Sequence, residues 1–194
     1  SRGCNNHCPW CFVPGLEGKL RTLDEIPVGN IIQDNNFLQT DRAHKEKVFQ
    51  MLKTQKGICF KGGLEPDLLD DHFIEGIRDL SVKELWLACD TDARFPLFAK
   101  GCEKLTKAGF NRNKIFCYVL SYGKDKVADE ARARAVYEAG AMPFMQLYRD
   151  DSEVKTAYPQ EWEQFARTWQ RPAIIKARMS GRGDISEEQL CMEE

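Results

Sequence analysis

Apolar positions along the chain gather in short dense runs separated by longer amphipathic stretches. Five runs read as strands: Val28–Gln33, Ile58–Gly62, Glu84–Cys89, Lys114–Leu120 and Pro143–Tyr148. Several are nearly continuous, the pattern of parallel strands covered on both faces. The stretches between them carry helical spacing. Arg42–Thr54 aligns Val48, Phe49 and Leu52, and Leu68–Leu80 aligns Leu69, Phe73, Ile77 and Leu80. Phe95–Ala108 aligns Phe98, Cys102 and Leu105, while Asp125–Ala139 is rich in the helix formers Ala, Arg and Glu.

Strand starts recur about every 26 to 30 residues, the length of a βα unit. The alternation predicts an α/β fold with right-handed crossovers, either an open doubly wound sheet or part of a (β/α) barrel. The chain opens at Ser1 without an initiator methionine, so an N-terminal part is expected ahead of it. A partial (β/α) barrel of about six βα units, its first strand lying before Ser1, accommodates the five visible strands. Residues 1–150 would form this core and residues 151–194 a C-terminal helix and tail packed on it. In that tail, Glu161–Gln170 reads as a helix with Trp162, Phe165, Ala166 and Trp169 on one stripe. Arg171-Pro172 breaks it, Ala173–Ala177 reads as a short edge strand, and a polar, fraying end begins at Ser180.

Composition narrows the class. Of 194 residues, 42% are hydrophobic and 30% charged, an ordinary globular balance. No apolar run approaches the roughly 20 residues needed to span a bilayer. A formal net charge of −2 excludes a globally basic nucleic-acid binder but leaves room for a local basic patch. Eight cysteines without an export signal point to a reducing, cytoplasmic setting rather than a disulfide framework.

Three of those cysteines are concentrated in Gly3-Cys4-Asn5-Asn6-His7-Cys8-Pro9-Trp10-Cys11, a C-x3-C-x2-C spacing. Thiolates hold iron–sulfur clusters, and three ligands on a [4Fe–4S] cube leave one iron open to a substrate or cofactor. The rival is zinc, held by these thiols with His7 or a remote cysteine. His7 directly precedes Cys8 and is poorly placed for the same tetrahedron, and no second C-x2-C pair completes a zinc ribbon.

The segment Ser1–Cys11 resembles the cluster loop of radical S-adenosylmethionine enzymes, with Trp10 as the aromatic before the last cysteine. The resemblance implies a full or partial (β/α) barrel and a [4Fe–4S] cluster on Cys4, Cys8 and Cys11. Its open iron would chelate the methionyl amine and carboxylate of S-adenosylmethionine. One-electron reduction would then yield a 5′-deoxyadenosyl radical that abstracts hydrogen from a substrate. A donor such as flavodoxin or ferredoxin would supply the electron.

Lys61-Gly62-Gly63-Leu64-Glu65-Pro66 is similar to the Gly-Gly-Glu-Pro segment that binds the methionyl amine, with Leu64 inserted. By this resemblance Gly62, Gly63 and Glu65 help hold the cofactor, Asp90 accepts from a ribose hydroxyl, and Trp10 presents backbone to adenine. Tyr118–Gly123 occupies the place of the family's adenine segment without reproducing its Gly-x-Ile-x-Gly pattern. The motifs lie in these loops, and the βα rhythm extends the likeness over about Ser1–Asp150. The whole chain also resembles a branch found in phages and bacteria and described as Fe-S oxidoreductases. Gln33-Asp34-Asn35-Asn36, Phe60–Glu65, Cys117–Leu120 and Arg171–Ile174 carry that likeness.

Asp34, Asn35 and Asn36 end the first visible strand, and Arg149 follows the last, so all four are candidates for contacting a substrate. Turn chemistry accounts equally for the first three, and surface solvation for Arg149. Arg167, Arg171, Lys176, Arg178 and Arg182 form a basic tail beside Trp162 and Trp169. Basic groups with aromatics suit a nucleotide or nucleic acid. The rival readings are a peptide-modifying or activating enzyme of the same family, and a non-catalytic iron–sulfur or zinc module.

Overall fold

The computed structural model describes residues 1–150 and 157–181. Arg182 and Cys191, with the rest of the polar end, fall outside the described residues. Five parallel strands form one sheet: β1 (Ile31–Ile32), β2 (Lys56–Leu64), β3 (Ser81–Ala88), β4 (Ile115–Ser121) and β5 (Met142–Leu147). Their spatial order is the sequence order, with every neighbouring pair parallel. A doubly wound sheet reverses direction at a switch point. This sheet never reverses, so right-handed crossovers stack their helices against one face.

The crossovers are α2 (Arg42–Leu52), α3 (Asp71–Arg78), α4 (Phe95–Lys107) and α5 (Lys126–Glu138). A four-residue helix, α1 (Val13–Leu16), precedes them. Three of the crossover helices begin at an aspartate that accepts from the first turn: Asp41 from the His44 amide, Asp70 from Phe73, and Asp125 from Val127 and Ala128. Such caps satisfy amides that have no partner inside the helix. The helix expected from Leu68 starts later because Pro66–Leu68 forms a separate 3₁₀ turn ahead of the Asp70 cap.

The sheet has two unlike faces. Ile58 and Phe60 of β2, Leu85 and Leu87 of β3, and Cys117 and Val119 of β4 join the core cluster with Leu52, Phe73, Ile77, Phe98 and Leu105 of the helices. The opposite face is aromatic. Trp86 stacks on Phe116 at 4.8 Å, meets Tyr118 at 4.6 Å and presents an edge contact to Phe144 at 5.3 Å. The Trp86 indole donates to Glu84, which also pairs with Lys61 at 3.2 Å.

Two expected strands differ. The first is only Ile31–Ile32, because Pro27 lacks an amide, Gly29 follows it, and Val28 is 78% exposed at the sheet edge. Ala173–Ala177 is not an edge strand; it lies within helix α7 (Pro172–Met179). Pro172 sits at the helix start, where its missing N–H costs nothing. Ile175 is buried in a cluster with Trp169, Ala166 and Met145. A short apolar run does not separate strand from helix by pattern alone. The preceding helix, α6 (Gln160–Thr168), follows the expectation.

Candidate functional site

The cysteine loop is cinched at its base. Arg2 and Arg21 exchange backbone hydrogen bonds of 2.9 Å, and the Cys4 amide donates to Gly18. Gly3 sits at φ +73°, and a Cβ there would lie 2.2 Å from the Lys19 carbonyl oxygen. Only glycine admits both the left-handed conformation and that approach. From this neck the loop reaches over the carboxyl ends of the strands. A cavity of about 1170 Å³ opens there, lined by Cys4, Cys8, Cys11, Gly63, Asp90 and Tyr118 among others. Ligand sites in parallel α/β sheets lie at this end.

Cys4 is buried, Cys8 half-buried and Cys11 exposed. Burial pushes the Cys8 thiol up, and the neighbouring Cys11, Asp90, Cys4 and Glu65 charges add to it. The thiols and acids therefore sense one another across the same space. Among the described residues no three His, Cys, Asp or Glu side chains converge on a single metal ion. Thiolates can serve either a zinc ion or an iron–sulfur cluster. Three thiols around one open cavity fit the cube's donor set.

Glu65, at the end of β2, is the hub of the site. Its Oε2 accepts from Asn36 at 2.7 Å, Asn6 at 3.0 Å and Gln39 at 3.3 Å. Its Oε1 accepts from Arg94 at 3.1 Å, and the same guanidinium nitrogen reaches Asp67 at 2.6 Å. Burial alone would raise the carboxyl, but the donors from Asn36, Asn6 and Arg94 outweigh it and hold it below the usual range. These bonds tie the cysteine loop, the Asn36–Gln39 turn and the start of α4 into one unit. Gln39 completes it by accepting from the Asn5 amide at 3.0 Å and donating to the Asn6 side chain at 2.9 Å.

Gly62 and Gly63 both line the cavity, for different reasons. A Cβ on Gly62 would stand 1.6 Å from the Asp34 carbonyl oxygen, whereas Gly63 has open space but φ +85°. Gly62 thus admits neighbouring backbone, and Gly63 a left-handed turn. Asp90 ends the β3 segment beside the loop. Burial raises its carboxyl, opposed by a hydrogen bond from the Trp10 side chain and by Arg94 and Arg132.

The polar cluster after β1 is divided. Asp34 accepts from the Ser1 hydroxyl and amine, both at 2.6 Å, and does not line the cavity. Asn35 and Asn36 both line it, Asn35 donating to Glu17 at 2.7 Å and Asn36 buried against Glu65. Arg149 lines the opposite rim with Arg167 of α6. Both tail tryptophans are buried, Trp162 at 8% and Trp169 at 0% exposure, so neither offers a stacking face. Asn6, Gln39 and Arg94 carry no motif that singles them out; their role appears only when distant elements meet.

No protein-family model, curated protein or solved structure matches the chain. Among the described residues no helix is long and apolar enough to cross a membrane.

Proposed function

We propose that this chain is a radical S-adenosylmethionine enzyme on a partial (β/α) barrel. The observation that carries the reading is the convergence of Cys4, Cys8 and Cys11 on one cavity at the carboxyl ends of a sequentially ordered parallel sheet. A [4Fe–4S] cluster and S-adenosylmethionine, when bound, would supply a 5′-deoxyadenosyl radical. Cys4, Cys8 and Cys11 would hold the cluster. The Gly63 backbone, Asp90 and Asn35 line the space left for the cofactor. Phe144, Tyr118 and Leu120 add largely apolar wall to the same cavity.

The cavity exceeds the about 300–1,000 Å³ of usual small-molecule sites, which suits a cofactor and a substrate together. Arg149 and Arg167 bring positive charge to its far rim, favouring a substrate with a phosphate or carboxylate such as a nucleotide. A flavodoxin- or ferredoxin-type protein would deliver the electron in a cytoplasmic setting. The test is anaerobic reconstitution with iron and sulfide, then S-adenosylmethionine and a strong reductant, with 5′-deoxyadenosine read by mass spectrometry. Its appearance, and its loss in a Cys4→Ala, Cys8→Ala, Cys11→Ala variant, supports the reading. Tight iron and sulfide without 5′-deoxyadenosine would instead mark a non-catalytic cluster module.

A further inference from the structure

The Asn36 amide spans two groups of the site. Its Nδ2 lies 2.7 Å from Glu65 Oε2 and 3.8 Å from the Cys4 sulfur. Asn36 is 4% exposed, and its Oδ1 is buried without a partner. Flipping the amide would set Oδ1 against the Glu65 carboxylate, so the orientation is dictated by charge. Both N–H groups of Asn36 are thus committed, one towards a carboxylate and one towards a sulfur. The backbone amide of Asn6 donates to the same sulfur at 3.4 Å.

Resting on the reading that Cys4 is a cluster ligand, we propose that Asn36 is a positioning residue. It couples Glu65 to the Cys4 sulfur and sets how readily the cluster accepts an electron. Hydrogen bonds to cluster sulfurs are among the protein's levers on reduction potential. A donor at the sulfur stabilises the more negative, reduced state over the oxidised one. The Glu65 carboxylate keeps the amide dipole aimed at Cys4 and prevents it from turning its oxygen to the sulfur.

The experiment compares wild type, Asn36→Ala, Asn36→Asp and the double variant Asn36→Asp/Glu65→Gln after anaerobic reconstitution. Iron and sulfide per chain, melting temperature, and the midpoint potential from a titration followed by electron paramagnetic resonance are read for each. Asn36→Ala is expected to keep its iron and shift the midpoint negative. Asn36→Asp shifts it further, because a carboxylate then abuts the sulfur. The double variant exchanges the carboxylate and amide, restoring the bond between positions 36 and 65 and part of the melting temperature that Asn36→Asp loses by abutting two carboxylates, while leaving the midpoint low. A merely structural role would not separate those two readouts. Unchanged midpoints in iron-loaded variants overturn the proposal and leave the cluster reading standing. Loss of the cluster from both Asn36→Ala and the double variant also overturns it, since Asn36 would then assemble the loop rather than tune the sulfur. A folded wild type that binds no iron and sulfide overturns the proposal and the cluster reading together.

Discussion

Replacing Gly62 by alanine tests whether the mouth of the sheet is assembled as described. The new Cβ would fall 1.6 Å from the Asp34 carbonyl oxygen and 2.6 Å from its carbonyl carbon. Real Cβ contacts essentially never fall under 3.0 Å, so the carbonyl must withdraw by about 1.4 Å. It has little freedom to do so. The segment is pinned by Ser1 on Asp34, by Asn35 on Glu17 and by Asn36 on Glu65. Overpacking costs about 1–3 kcal/mol, and a clash with pinned backbone belongs at the upper end, about 3 kcal/mol. For a chain of this size that lowers the melting temperature by about 6–12 °C. Two companions calibrate the result. Gly63→Ala meets no neighbour but must hold φ +85°, which costs about 1–2 kcal/mol. Gly29→Ala has neither problem and should stay within about 0.5 kcal/mol. Calorimetric or circular-dichroism melts of the three variants give the ranking. If Gly62→Ala melts with Gly29→Ala, the close approach of β2 to Asp34 is wrong.

Glu65 should leave a signature in acid. Its folded carboxyl is held below the ordinary value of 4.5, so its stabilisation is present above that value and is lost as pH falls through the lower folded one. Glu65→Gln should flatten that part of a stability-versus-pH curve and lower neutral stability by about 1.5–3 kcal/mol, read by urea melts. Burial pushes the Cys89 thiol up to about 11 and Cys102 up to about 12, so at pH 8 both should resist iodoacetamide in the native protein. Exposed Cys11 should be carbamidomethylated first, a pattern peptide mass mapping resolves and earlier labelling of Cys102 would contradict. Trp169 is fully buried with an unpaired indole N–H. Trp169→Phe removes that orphan donor and should cost no more than about 1–2 kcal/mol, against about 3–5 kcal/mol for Trp169→Ala.

Four of the five strands and the four crossover helices were readable in the sequence because each rests on local periodicity. Leu85 and Leu87 join the helix-side core while Trp86 between them packs with Phe116, Tyr118 and Phe144, as expected of a parallel strand covered on both faces. The doubly wound and barrel-like alternatives could not be separated that way, since strand order is a property of contacts between units. The edge strand and the last helix went astray where the local signal is weakest, in two-residue and eight-residue elements shaped by a proline. At the candidate site, spacing singled out the cysteines and resemblance singled out Gly62, Gly63, Glu65 and Asp90, and the fold brings all of them to one cavity. Of the partners of Glu65, Asn36 stood out only as a candidate substrate contact and Asn6 and Gln39 not at all, because the three lie 29, 59 and 26 residues from it in sequence. An amide that becomes important only through a carboxylate on another element carries no local mark.

The unlike faces of the sheet divide the labour of the chain between two constituencies. Aliphatic side chains on one side answer to the helices and govern whether the protein folds at all. The interlocked rings on the other form a separate aromatic layer, and the exposed rim residues Arg149 and Arg167 belong to neither packing. Changing which molecule is accepted therefore demands no renegotiation with the core. A scaffold partitioned this way can diversify its clientele by exchanging a few rim side chains, while selection for folding and selection for chemistry act on different letters of the same strand.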